Sequence, residues 1–483
     1  MNERIMTERK HVYIETFGCQ MNERDSEIMA ELCGRAAYHL TTDIEAADLV
    51  IVNTCSIRKK AEEKAFSLLG RLRRLKKDRP SILVAVTGCV AQQEGKRLLA
   101  RMPHVNLVVG TQAMWQLPQL LKSCEEQKRA CVATRLAPDF AIPFLIPTPV
   151  AHEAPLKSFV NIMQGCNNFC SYCIVPFTRG RETSRPLHDI IEEVTILAQK
   201  GVKEVTLLGQ NVDSYGRGQN GQQADFPELL RRVAEIEGIV RIRFTTSHPK
   251  DLSDELMDCF RSMDKLCPHL HLPVQSGSNR VLKRMNRNYT REHYLDLVER
   301  LWTICPEIAI TTDIIVGFPG EEEKDFGQTL DLLFSVRFHG AFSFKYSDRP
   351  LTRAANLDKK ITEEEKNRRL SRLLMIQEHI TLERNRELVG KTVLVMTEGM
   401  SKTAGAQWTG RTGTNHIVNF TGPGFLPGEL IDVTIDEACL HSLRGRAVAP
   451  ENGKGVAYAY PDEGDWHPDS SGNENARGLV AGD

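Results

Sequence analysis

The sequence predicts an α/β protein in three parts: an N-terminal open parallel α/β sheet, a central partial (βα)6 barrel of the TIM type, and a C-terminal small β-barrel. Three observations carry this. Between residues 11 and about 125, short apolar runs alternate with amphipathic stretches, as in an open α/β sheet. A longer run of six strand–helix units follows a proline-punctuated stretch, more than half a barrel and short of eight. Residues 389–449 then switch to short strands of period two with glycine-rich turns.

Composition bounds the function. A chain of 483 residues exceeds one ordinary core. Its net charge of -1 removes any argument from overall charge, so nucleic-acid binding has to come from local patches. The amino terminus, MNERIMTERK, lacks the apolar core of a signal peptide, and no uninterrupted apolar run approaches membrane-spanning length. A cytoplasmic chain with no membrane partner is expected. That compartment keeps thiols reduced, so the 13 cysteines are not read as a disulfide framework. Metal binding or catalysis is the default for those that cluster.

The first part is expected over 10–131. HVYIETFG, DLVIVNT and SILVAVTG read as strands leading to Cys19, Cys55 and Cys89. Each cysteine falls just past a strand's carboxyl end, the edge where parallel sheets bind ligands. Each is flanked by Gly or Asn, where the backbone can turn around a ligand. A second three-cysteine cluster site is therefore expected here, against the plainer reading of buried thiols. The stretch from Arg58 to Arg79 carries ten basic and three acidic side chains on a helical pattern. It is either a solvated face or an RNA-phosphate contact.

Residues 132–157, with Pro138, Pro143, Pro147, Pro149 and Pro155, read as a linker. The central part is expected over 158–388, with strands SFVNIM, EVTLLGQN, VRIRFTTS, HLHLPVQS, IAITTDIIVG and GAFSFKYS. After the first strand come Cys166, Cys170 and Cys173, spaced CxxxCxxC. Three thiolates at this spacing suit three irons of one 4Fe-4S cube, leaving a fourth iron open to a small molecule. Zinc would want a fourth ligand close by, and no Cys or His follows before His188.

The other strand ends offer Gly209, Gln210, Asn211, Ser247, Gln275 and Asp313 as candidate cofactor contacts, with His248 either ordering its loop or catalytic. Gly216–Gly221 matches GxGxxG but opens no helical pattern, and reads as a loop. Arg280–Arg291 (RVLKRMNRNYTR), with five basic residues and no acidic one, reads as an RNA-backbone contact or a solvated helix. A charged helix over about 362–387 leads to the small barrel at 389–449, where Trp408, Arg411 and His416 are candidate RNA contacts. Residues 450–483 form an acidic, glycine-rich tail expected to be disordered.

Cys19, Cys55 and Cys89, then CNNFCSYCIVPFTRGRETSRP, then the terminal barrel, resemble the radical S-adenosylmethionine methylthiotransferases over about residues 10–449. SIRKKAEEKAFSLLGRL, RFTTSHP, HLHLPVQSGS, RMNRNYTR, TTDIIVGFPGE and WTGRTGTNHIVNF are most similar to the branch acting on isopentenyl-adenosine in tRNA. The resemblance implies two 4Fe-4S clusters and S-adenosylmethionine as cofactors. Cys166, Cys170 and Cys173 would hold the cluster that cleaves S-adenosylmethionine to a 5'-deoxyadenosyl radical, with Tyr172 and Phe169 screening it. Cys19, Cys55 and Cys89 would hold an auxiliary cluster whose open iron carries the sulfur to be inserted. The resemblance places Arg179, Arg181, Glu182 and Arg185 near the cofactor or the auxiliary cluster, and makes the terminal barrel a TRAM-like domain.

The partners implied are a tRNA anticodon stem-loop, a low-potential electron donor and the iron-sulfur assembly machinery, with the chain acting as a monomer. Where the family commonly has SPRPGTPAA, this chain has Ser347-Asp348-Arg349-Pro350-Leu351-Thr352-Arg353-Ala354-Ala355. Two nearer rivals are methylthiolation of threonylcarbamoyl-adenosine in tRNA or of a ribosomal-protein aspartate. A third, of another class, is a non-catalytic iron-sulfur RNA-binding redox sensor.

Overall fold

The computed structural model describes residues 9–56, 59–145, 155–217, 224–401, 407–422 and 424–448. The expected tail, residues 146–154 of the proline-punctuated stretch and residues 218–221 of the GxGxxG stretch lie outside the described residues.

The N-terminal sheet holds six parallel strands: β1 (Lys10–Phe17), β2 (Tyr38–Leu40), β3 (Leu49–Thr54), β4 (Leu83–Thr87), β5 (Leu107–Val109) and β6 (Cys131–Ala133). Their order is β2-β1-β3-β4-β5-β6. Along β3, Leu49 and Ile51 enter one core and Val50 and Val52 the other, the alternation of a strand buried on both faces. The helix Gln20–Arg35 covers the first core, and Lys59–Asp78 covers the second through Ala65, Leu68, Leu69 and Leu72. The proline-punctuated stretch is anchored where it is described. β6 runs into it, Ala137 N donates to Gln112 Oε1 at 2.8 Å, and Leu145 is buried in the first core.

All six expected barrel strands form. β7 (Lys157–Asn161) is followed by a short antiparallel pair, β8 (Met163–Gln164) and β9 (Thr183–Ser184). Then come β10 (Glu204–Leu208), β11 (Arg241–Thr245), β12 (His269–His271), β13 (Ala309–Val316) and β14 (Gly340–Lys345). They make two parallel three-stranded sheets, β11-β10-β7 and β12-β13-β14. Sparse bonds join these halves, among them Ile242 N to Lys265 O at 2.7 Å and Cys267 N to Ile242 O at 3.0 Å. Outward residues such as Val205, Leu207, Ile242, Leu270, Ile310 and Ile314 share one core with the surrounding helices. The inward face carries polar groups, including Arg243, His271, Thr311 and Asp313.

A helix, Glu363–Arg386, leads to β15 (Thr392–Met400), β16 (Trp408–Thr412), β17 (Ile417–Thr421), β18 (Leu430–Ala438) and β19 (Leu443–Ala447), closed as β15-β16-β17-β19-β18. This small barrel sits beneath the amino ends of the large barrel's strands. Arg241 donates to Arg411 O (2.6 Å) and Leu394 O (3.2 Å), and Arg243 donates to Thr412 O and Gly413 O (both 2.8 Å).

That docking gives the three candidate RNA contacts partners within the chain. Arg411 pairs with Glu398 at 3.3 Å, the His416 ring lies 5.9 Å from that of His339, and Trp408 packs edge-on against Phe425. Among the described residues, no helix is long and apolar enough to cross a membrane.

Candidate active site

Strands β1, β3 and β4 are neighbours, so Cys19, Cys55 and Cys89 stand side by side at one sheet edge. Adjacent strands lie about 4.8 Å apart, which spreads three strand ends over roughly 10 Å. Side-chain bonds fix the turns. Asn22 Nδ2 donates to Asn53 Oδ1 (3.1 Å), Asn53 Nδ2 returns to Asn22 O (2.8 Å), and Thr54 Oγ1 donates to Thr87 O (2.6 Å). Gly88, at φ +85°, passes so close to Asn53 and Thr54 that a Cβ would fall 2.5 Å from their oxygens.

The Cys166–Cys173 loop is likewise held from outside. Gly165 is at φ +82°, with Arg181 O 2.1 Å from where a Cβ would stand. Ser171 N and Oγ donate to Met285 O and Arg284 O (each 2.8 Å), Asn286 Nδ2 donates to Phe169 O (3.0 Å), and Arg287 Nη1 donates to Cys170 Sγ (3.3 Å). The stretch RVLKRMNRNYTR, left open between an RNA contact and a solvated helix, is tied into this support. Arg280 pairs with Asp325, Arg284 donates to Pro319 O, Arg291 to Gln328 O, and Arg287 is buried. The stretch scaffolds the cysteine loop.

The two sets of three cysteines line one cavity of about 350 Å³. Of the candidate cofactor contacts, Tyr172, Gly209, Gln210, Ser247, Gln275 and Asp313 line it as well. Asn211 does not: it is buried, and its amide donates to Asp251 Oδ2 at 2.8 Å. Sequence reasoning missed Arg287, Tyr346 and Asp213. Arg287 lay in a quoted motif, but nothing local distinguished it from its basic neighbours. Asp213 accepts Ser247 Oγ (2.9 Å) and His248 N (3.1 Å), fixing the turn that faces the cavity. His248 orders its loop through Nδ1, which accepts from Lys250 N at 3.2 Å. The proton therefore sits on Nε2. Burial holds this imidazole neutral, its pKa down to about 2.

The donor set fits iron-sulfur cubes. Six thiols, in two sets of three, line one cavity and are the donors such clusters take. Buried polar atoms with no hydrogen-bond partner stand at the same place: Arg179 Nη1, His248 Nε2, and the hydroxyls of Ser56 and Thr87 beside Cys55 and Cys89. A hydrogen bond with Cys55, helped by the charge of Arg179, pulls the Cys19 thiol down to about 6 despite its burial. Burial pushes Cys166 up to about 11 and raises Cys89 and Cys173.

The TRGRE segment joins the two parts. Arg179 pairs with Asp25 at 2.6 Å, both buried, while Glu193 accepts from Arg185 (2.6 Å) and from Arg24. Arg181 lies over the Phe169 ring at 5.0 Å, and burial raises Glu182 to about 7. Of the departing loop, Ser347 and Arg349 line the cavity, and Arg349 reaches Glu62 of the helix Lys59–Asp78 at 3.5 Å. That helix exposes Lys60, Lys64, Arg71, Arg73, Arg74 and Lys77.

A parallel sheet and a partial barrel that present cysteines to one shared cavity define a radical S-adenosylmethionine enzyme, and family comparison agrees. Residues 11–110 match the uncharacterized protein family UPF0004, 160–333 the radical SAM superfamily and 386–448 the TRAM domain. The chain is 52% identical over 448 residues to a tRNA-2-methylthio-N(6)-dimethylallyladenosine synthase from Desulfotalea psychrophila, covering 91% of this chain and 99% of that one. It is 51% identical to the protein of the same name from Syntrophus aciditrophicus, covering 92% and 96%. Among solved structures, the radical S-adenosylmethionine methyltransferase TsrM from Kitasatospora setae superposes with a TM-score of 0.52 at 13% identity, covering 72% of this chain and 74% of that one. That likeness is one of fold. The chain belongs to the tRNA-2-methylthio-N(6)-dimethylallyladenosine synthase family.

Proposed function

We propose that the chain methylthiolates carbon 2 of isopentenyl-adenosine at position 37 of tRNA, next to the anticodon. Two S-adenosylmethionine molecules are used, one as methyl donor and one as radical source. The observation that carries this reading is the single cavity lined by two sets of three cysteines. The cofactors are S-adenosylmethionine and two 4Fe-4S clusters. Cys166, Cys170 and Cys173 would hold one cluster, and Cys19, Cys55 and Cys89 the other. A cluster with an open iron supplies a site that chelates S-adenosylmethionine and the electron that splits its sulfonium.

The chain's own groups bind and orient. Arg287 donates to Cys170 Sγ, where an N–H to sulfur favours added negative charge. Asp213 holds Ser247 and His248, so that His248 Nε2–H is a fixed neutral donor. Gln210 Oε1 accepts from Gly165 N at 2.6 Å and fixes the start of the cysteine loop. Arg179, paired with Asp25, lines the cavity with its charge beside Cys19 and Cys89.

The RNA partner is a tRNA anticodon stem-loop, whose single-stranded base can be splayed out. The basic face of Lys59–Asp78, joined to the cavity through Glu62 and Arg349, suits its phosphates. Electrons come from a low-potential donor and the clusters from the iron-sulfur assembly machinery.

The test is anaerobic. Reconstituted protein should hold about eight irons per chain, two cubes of four. Cys170→Ala should abolish release of 5'-deoxyadenosine. Cys55→Ala should retain that release and lose methylthiolated tRNA nucleoside by mass spectrometry. Methylthiolation surviving in the Cys55 variant would sink the two-cluster assignment. Wild type releasing neither 5'-deoxyadenosine nor S-adenosylhomocysteine would favour a redox sensor.

A further inference from the structure

The large barrel's wall is open between its edge strands β14 and β7. In a closed barrel the inward side chains of every strand are covered by neighbours. On β14, Phe342 and Phe344 pair with Asp313 and Ile315 and share their inward face, yet they stay 54% and 38% exposed. The opposite face of the strand is covered: Ala341 packs on the barrel core, and Lys345 Nζ reaches Asn367 of the helix Glu363–Arg386 at 2.6 Å. Phe344 lines the six-cysteine cavity. Phe342 lies one layer nearer the small barrel, its ring edge-on to His271 at 5.7 Å. The two rings make an apolar step from the side opening into the cavity.

The arrangement of parts says what crosses that step. The cavity is at the carboxyl ends of the strands, and the small barrel is at their amino ends. An RNA held by both has to run along the side of the large barrel, and helices cover the outer faces of its strands. The side opening is the route left to the inner face. A purine has two π-faces that stack on aromatic rings, and an isopentenyl arm adds an apolar branch that water solvates poorly. His271 and Asp313, on adjoining strands, offer polar groups to the base edge. Exposed rings continuous with a reaction cavity mark a binding surface.

We infer that Phe342 and Phe344 form the shelf on which the isopentenyl-adenine of the substrate RNA lies as it enters the cavity. This rests on the proposed function and deepens it by naming residues that choose the modified base over plain adenine.

The test uses full-length reconstituted protein with Phe342→Ala, Phe344→Ala, Phe342→Leu and Phe344→Leu. Each is assayed by fluorescence anisotropy with a synthetic anticodon stem-loop carrying isopentenyl-adenosine and with the same stem-loop carrying adenosine. The Ala variants should bind the isopentenyl stem-loop about tenfold more weakly, as expected for a lost base–ring stack. They should bind the plain one less changed, so the preference shrinks. KM for the stem-loop should rise while KM for S-adenosylmethionine holds. The Leu variants keep apolar area and lose the ring, and should fall between; they decide the matter if an Ala variant fails to fold by thermal melting. Wild-type affinity and preference in both Ala variants would overturn the shelf. So would a raised KM for S-adenosylmethionine with RNA affinity intact, which would assign the rings to the cofactor's adenine. A wild type that prefers the isopentenyl stem-loop but never methylthiolates it keeps the shelf and overturns the proposed reaction instead.

Discussion

Asp213 is buried beneath the Ser247–His248 turn, and desolvation pushes its carboxyl up to about 7 against the two hydrogen bonds that stabilise the anion. The folded chain therefore binds this proton more tightly than the unfolded chain. Its contribution to stability is fully present below about pH 4 and is lost as pH rises through 7. Urea unfolding of wild type should show that decline, worth up to roughly 4 kcal/mol. Asp213→Asn should flatten it, and an unchanged slope in the variant would refute the assignment. Leu351 stands where the family commonly has glycine, at φ +69°. A left-handed backbone costs a side-chain-bearing residue about 1–2 kcal/mol, partly offset by the entropy of a glycine's unfolded state. Leu351→Gly should stabilise the fold by about 0.5–1 kcal/mol, read as a higher unfolding midpoint. The hydrogen-bonding groups of the cavity-lining part of that loop, Ser347 and Arg349, are left in place.

At the scale of elements, the helix Lys59–Asp78 divides its residues by face, leucines onto the sheet and basic groups outward. If those groups meet phosphates, Arg73→Glu with Arg74→Glu should weaken stem-loop binding and make its dependence on salt shallower by about one to two in log–log slope. An unaltered slope would return the helix to a solvated face. This helix was legible in the sequence, as were β1, β3, β4 and the six barrel strands, because each is a regular run ending in turn residues. β2, β5 and β6 have three residues each, too few for a period to register; β12, equally short, was marked by the turn-rich run Gln275-Ser276-Gly277-Ser278 that follows it. The six cysteines were legible because spacing and strand ends both marked them. Arg287 and Asp213 were not, since they meet the cavity only through contacts across 117 and about 35 residues of chain. Asn211 was over-read: it follows Gly209 and Gln210, but the chain turns there and its amide goes to Asp251.

At the scale of the molecule, the N-terminal sheet is fastened to the barrel by buried ion pairs, Arg179 with Asp25 and Glu193 with Arg24 and Arg185. Removing one partner of such a pair leaves the other charged and desolvated, at about 3–5 kcal/mol. Asp25→Ala should lower the unfolding midpoint accordingly. It should also reduce methylthiolation more than 5'-deoxyadenosine release, because the two cysteine sets lose their fixed spacing. Equal loss of both products would point to a purely structural role. The same joint has a consequence for how the chain is born. The N-terminal sheet is complete at Ala133, before translation reaches Cys166. Domains fold in order of emergence, so Cys19, Cys55 and Cys89 first stand at an uncovered sheet edge. Arg179, which later closes over them, has not yet been made. Translation order gives the first three thiols an interval in which they can be loaded from outside, and completion of the barrel ends it.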